Sequence, residues 1–374
     1  MTAWRVLAVV AGVAIVAYDL WDLVRALIVP RPATGGVVAV VARSLRRGMH
    51  RLAVHRRSFE ARDRALAAVE PVLILIRLLL WMVIAYTGFA LVLWGVGQRS
   101  IGHAFIDSGS SITTLGFATE PGSVSAVVTF LAAGFGLTVV ALQIAYLPAL
   151  YDAFNRREVL VTTLESRAGT PAWGPELLAR HHLVGIEGNL ATLYADWERW
   201  AADVAESHTA YPILLQLRSP HATNSWVTGL LAVLDSAAML LAVNPSSAPP
   251  EARMCVRMGF TCFRDIARVI RVPFDPDPLP DAPIALGYEE FLEATARLER
   301  AGMPMERGPE AAWPHFRGWR VNYESIAYAL ADIVYAPNAP WSGTRTGIAE
   351  AVLAPARPAH RNPDEPQGDP AATT

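Results

Sequence analysis

The chain's apolar residues fall into three long runs within the first 150 positions, and afterwards into shorter sets spaced as on one face of a helix. The runs cover positions 4–29, 71–97 and about 123–150. About 20 helical residues cross the hydrocarbon layer of a bilayer, so each run is long enough to span. The first is too long for the apolar region of a signal peptide, and no small-residue cleavage site follows it, which favours a retained anchor. Asp19, Asp22 and Arg25 lie three apart on one face of its later part. An Asp22–Arg25 pair within the helix at the membrane edge is the preferred reading; packing of these residues against another span is the alternative.

Polar positions between the runs set the topology. Positions 31–70 carry nine Arg against three acids and form a basic hairpin, which the positive-inside rule places in the cytoplasm. The link between the second and third runs holds one basic residue, Arg99, whereas Arg156 and Arg157 follow the third. The N-terminus is therefore expected outside, and everything after the third run inside. The basic hairpin also suits contact with anionic lipid.

Composition sharpens this picture. Of 374 residues, 53% are hydrophobic and 18% charged, and mean hydropathy is +0.29. Soluble domains carry about 25% charge. Net charge is −2, so no global field calls for nucleic acid. Cys255 and Cys262 sit two helical turns apart, about 10 Å by helical rise, and read as reduced core residues.

About 25 residues separate the second and third runs. IGHAFIDSGSSIT is apolar enough to dip into the membrane as a short helix, and TTLGFA follows it. Non-helical backbone at membrane depth is tolerated only where it lines a cavity or is buried in protein. A re-entrant helix followed by such a segment is an arrangement that lines a pore with backbone carbonyls.

Here the sequence resembles the potassium channel family, whose filter signature reads Thr-Thr-Val-Gly-Tyr-Gly-Asp. In this chain it reads Thr113-Thr114-Leu115-Gly116-Phe117-Ala118-Thr119. The resemblance extends over positions 71–158. It implies that Thr114 offers a carbonyl and a hydroxyl at the inner end of a filter, and that Leu115, Gly116 and Phe117 continue a row of carbonyls replacing an ion's hydration shell. Phe117 would wedge its ring behind that row. Two positions depart from the signature: Ala118 replaces the second glycine and Thr119 the acid. A residue with a Cβ in a left-handed conformation costs about 1–2 kcal/mol, so Ala118 implies a rebuilt outer filter and leaves selectivity for potassium over sodium open. One pore loop cannot enclose an axis, so the resemblance implies a homotetramer. The third run would line the cavity, with Gly134 and Gly136 allowing a bend and Pro148 interrupting the helix near its cytoplasmic end. Gln143 faces either the cavity or a neighbouring helix. The implied cargo is K+, with no other cofactor.

Beyond position 158 the pattern is helical and soluble. Positions 225–243 are nearly long enough to span, but Asp235 near their middle and the all-round hydrophobicity favour a buried core helix. No phosphate-binding glycine loop, zinc helix or nucleophile elbow is present, so no enzyme is expected. Positions 206–226 and 312–325 read as polar-aromatic loops. A packed subunit contact is preferred for them, and a pocket for a small ligand on the cytoplasmic domain is the alternative. The Pro- and Ala-rich tail is expected to be disordered.

The expected architecture is an all-α membrane protein: three transmembrane helices with one re-entrant pore loop, plus an α-helical cytoplasmic domain. Its parts are an N-terminal transmembrane helix (1–30), the basic hairpin (31–70), the pore domain (71–150), the cytoplasmic domain (151–342) and the tail (343–374). The expected function is a plasma-membrane channel for potassium or another monovalent cation. The alternative is a membrane-anchored helical signalling or scaffold protein.

Overall fold

The computed structural model describes residues 2–27, 36–56, 58–119 and 121–343. The tail expected to be disordered lies, from position 344 on, outside the described residues. Among the described residues the regular structure is entirely helical. Among them, four helices are long and apolar enough to cross a membrane: Ala3–Leu27, Glu60–Val96, Ser123–Ala168 and Trp226–Val243. The chain forms two compact units. The first contains residues up to Glu158 together with Asp203–Arg218 and Asp265–Arg271, and the second contains the remainder. The domain edge expected at position 150 thus falls inside a helix.

In the first unit, α1 (Ala3–Leu27) lies along α3 (Phe59–Val96). Small residues let the two backbones approach: a Cβ on Gly12 would sit 2.6 Å from the Gly88 carbonyl oxygen. Asp22 is not closed on Arg25, the pairing the sequence favoured. Its Oδ2 accepts a hydrogen bond from the Trp81 indole of α3 at 3.1 Å, while the Arg25 guanidinium lies 5.8 Å from the Trp21 ring centroid. A buried carboxylate gains more from a fixed donor on a neighbouring helix than from a mobile side chain on its own.

The basic hairpin is an amphipathic helix, α2 (Val37–Val54), followed by the first turns of α3. Val38, Ala42 and Ala53 are its buried side. Two of the three acids in this region pair with arginines: Glu70 holds Arg46 at 2.6 Å and Asp63 holds Arg218 at 2.5 Å. The helix α3 begins well before Pro71, with the Ser58 hydroxyl accepting the Ala61 N–H at 3.2 Å as its N-cap.

After α4 (Ile101–Ile112), the helix α5 runs from Ser123 to Ala168 without a break. Pro148 does not interrupt it. A proline inside a helix forfeits one backbone hydrogen bond, here the one to the Ile144 carbonyl. Tertiary packing holds the helix through that point: Leu150 and Ala153 are buried with Ile74, Ile213, Leu214 and Leu217. The Pro212–Gln216 stretch that supplies part of this cluster is a short 3-10 helix.

The second unit is built around α8 (Trp226–Val243), every residue of which is buried. Against α8 pack α6 (Gly174–Val184), α11 (Pro309–Arg320) and α12 (Glu324–Ile333). The unit also contains part of α7 (Leu190–Ala210), most of α9 (Pro250–Ile270), and α10 (Tyr288–Arg300). Asp235 inside α8 meets Arg320 at 2.5 Å and accepts from the Tyr323 hydroxyl at 2.9 Å. Arg320 donates further to Glu324 at 2.8 Å and to the Trp341 carbonyl at 2.6 Å. This network satisfies a carboxylate that lipid would leave bare, which suits the core-helix reading.

Positions 312–325 are helix rather than loop, covering most of α11 and the start of α12. Their aromatic residues go into packing: Phe316 lies 5.0 Å from Phe291 and 5.4 Å from Trp341 between ring centroids. Cys255 and Cys262 are buried and not joined in a disulfide.

Candidate functional site

The short helix α4 packs against α3, burying Ala104 and Ile112 in a cluster with Ala85, Phe89, Leu93, Val128 and Ala132. Its serines are turned inward: Ser108, Ser110 and Ser111 are buried. The Ser108 hydroxyl donates to the Tyr86 carbonyl at 2.8 Å, and Tyr86 meets Phe105 edge-on at 5.3 Å. These contacts fix α4 on α3 by both polar and apolar means.

The chain leaves the helix at Thr113 and reverses in two left-handed steps, at Thr114 (φ 59°) and Gly116 (φ 68°). Gly116 suits its step because it has no Cβ. Thr114 takes the strained position that the sequence assigned to Ala118, whose φ is not positive. The turn is held from Ser110. Its carbonyl accepts the Gly116 N–H at 3.1 Å, and its hydroxyl accepts the Ala118 N–H at 2.9 Å. The Thr114 N–H donates to the Ser111 carbonyl at 2.9 Å.

Within one chain the segment lies open. Leu115 and Phe117 are each 70% exposed, so the Phe117 ring is not wedged behind the backbone of its own subunit. The residues from Thr114 to Ala118 are brought together in one turn; the three singled out on α5 lie elsewhere. Gly136 sits against α4, where a Cβ would collide with the Ile112 carbonyl, so its smallness serves close packing. A Cβ on Gly134 would meet nothing within 4 Å. Pro148 lies about 18 Å beyond Gly136 along the helix by its rise per residue. Gln143 is 6% exposed, buried within the chain.

Sequence reasoning missed Ser110. Its only signal was the run of small hydroxyl residues closing α4, a composition that favours side-chain bonds to nearby backbone. It also missed a second polar centre. Arg157 of α5 is fully buried. It donates to the Leu214 and Leu217 carbonyls, each at 2.7 Å, and lies 2.7 Å from Glu158. Its Nη1 lies 3.1 Å from His208 Nε2. Because the guanidinium has only donors, that nitrogen accepts and the imidazole is neutral. Burial first, and Arg157 second, hold the His208 pKa well below its ordinary value.

Among the described residues no group of three or more His, Cys, Asp or Glu is placed to hold a metal ion. His182 pairs with Glu187, while His181 is buried with Nδ1 2.8 Å from the Leu177 carbonyl. Compared with protein-family models, with curated proteins and with solved structures, the chain gives no match.

Proposed function

We propose that the chain is one subunit of a cation channel of the potassium-channel type, with the Thr113–Thr119 turn lining its narrowest part. One observation carries the reading: a short helix anchored between two span-length helices delivers a non-helical, two-step reversal held in place by Ser110. Three spans, α1, α3 and α5, cross the plasma membrane with α4 re-entering from outside, and the C-terminal unit lies in the cytoplasm. Carbonyls of Thr114, Leu115, Gly116 and Phe117, with Ala118 at the outer end, take the place of water around K+ or another monovalent cation.

The exposure of Leu115 and Phe117 supports a ring of copies. Burying one such side chain is worth about 1.5–3 kcal/mol, and neighbouring subunits around an axis supply the cover. The α5 residues Phe130, Leu131 and Ile144, all exposed, suit the same neighbours or lipid. Gating passes through α5, tied to the 203–218 segment by Arg157.

The test is flux of potassium and of sodium from liposomes holding the purified protein, with Gly116→Asp as control. Flux that disappears in the variant supports conduction through this turn. A protein that conducts neither ion and does not form a ring of subunits is the membrane-anchored scaffold instead.

A further inference from the structure

Arginines that the sequence scatters over three elements converge on one cavity in the first unit. It has a volume of about 200 Å³. Arg25 comes from the last turn of α1, Arg43 and Arg46 from α2, and Arg77 from α3. Among the described lining residues the one carboxylate is Asp22, already engaged by the Trp81 indole at 3.1 Å. Glu70, just outside, is engaged by Arg46 at 2.6 Å. Positive charge is therefore left in excess around a partly enclosed space, an arrangement that an anion between the guanidiniums relieves. Of the remaining wall, Val38, Trp81 and Ile213 give apolar surface, and Tyr146 and Tyr211 also line it.

We propose that this cavity binds a phosphate-bearing anion, its oxygens held by Arg43 and Arg77 and any attached apolar part resting against Val38, Trp81 and Ile213. The guanidinium fork matches phosphate oxygens two at a time, which a plain positive field does not require. A lipid headgroup and a soluble phosphate share this chemistry. The position suits a lipid, because the cavity is framed by two span-length helices and the basic amphipathic helix α2. The site also reaches α5. Its floor includes Tyr211 and Ile213, and the same stretch presents the Leu214 and Leu217 carbonyls to Arg157. An occupied cavity steadies the stretch that holds this helix.

The experiment titrates the full-length protein in detergent with dioctanoyl phosphatidic acid, with dioctanoyl phosphatidylcholine and with inorganic phosphate, following binding by calorimetry. It measures no ion flux, so its outcome is separate from the conduction test. Saturable binding of phosphatidic acid is expected, weaker by about fivefold or more in Arg43→Gln and in Arg77→Gln. Arg64→Gln, at an exposed position on α3, should bind as the native chain does. Arg43 is itself exposed, so its variant keeps the fold even if that of Arg77 does not. Inorganic phosphate that binds as tightly, with the same arginine dependence, supports the site and assigns it a soluble ligand. Phosphatidylcholine binding equal to that of phosphatidic acid, or affinity unchanged in Arg43→Gln, would overturn the proposal.

Discussion

Small side chains act in opposite ways along the candidate pore loop. Gly116 occupies a left-handed step with nothing within 4 Å of a Cβ. Gly116→Ala should therefore cost about 1 kcal/mol of backbone strain and no packing. Gly136 is the reverse case, an ordinary helical position pressed on the Ile112 carbonyl. Gly136→Ala should lower stability by about 1–3 kcal/mol as α4 is displaced. Gly134→Ala should leave stability unchanged or raise it by up to about 1 kcal/mol. Thermal unfolding of the Gly134→Ala and Gly136→Ala variants in one detergent checks the contrast; equal losses would contradict it. Ser110→Ala removes the acceptor for the Ala118 N–H but keeps the carbonyl that holds Gly116. Amide exchange should then speed up at Ala118 more than at Gly116, as mass spectrometry of overlapping peptides can read. The glycines were legible in the sequence as small residues. The special backbone angle of Gly116 was legible from the filter-like motif; that Gly136 packs rather than bends was not, because that depends on a carbonyl contributed by another helix.

Elements show the same division between pattern and packing. The helices α1, α3, α4 and α5 were legible as long apolar runs and a short one, since burial in lipid or protein leaves that mark directly. Their ends were not. A 46-residue helix measures about 69 Å, more than twice the hydrocarbon thickness, so the apolar run marks only the part of α5 suited to lipid. Pro148 looked like a stop from local chemistry and is overridden by the cluster around Leu150. Nor could local pattern show that 203–218 returns to clasp α5, because the Arg157 contacts span more than fifty positions. Arg157→Gln removes one partner of a buried ion pair and should cost about 3–5 kcal/mol, with channel opening altered where the protein still folds.

The amphipathic helix α2 carries a pH prediction. His50 is held at about 4 rather than 6.5, by burial first and then by Arg46 and Arg218. With its folded pKa below the unfolded one, the unfolded chain takes up the proton first. The contribution of neutral His50 is therefore whole above pH 6.5 and is lost as pH falls from 6.5 toward 4. Melting temperatures at about pH 7.5 and about pH 5 should differ less in His50→Gln than in the native chain. An equal drop in both would contradict this assignment.

For the molecule as a whole, we propose that several copies assemble so that their Thr113–Thr119 turns face one axis and pass cations. A single chain leaves Leu115 and Phe117 uncovered, and a ring gives them neighbours. The most direct measurement is potassium and sodium flux from liposomes containing the native protein or Gly116→Asp. The substitution meets no neighbouring atom and costs about 1 kcal/mol of backbone strain, so a loss of flux with the helices intact by circular dichroism reports on the turn. Cation flux is expected from the native protein, favouring potassium or shared with sodium, and none from the variant. Equal flux from both proteins would contradict the proposal, because the ions would then be crossing somewhere other than this turn.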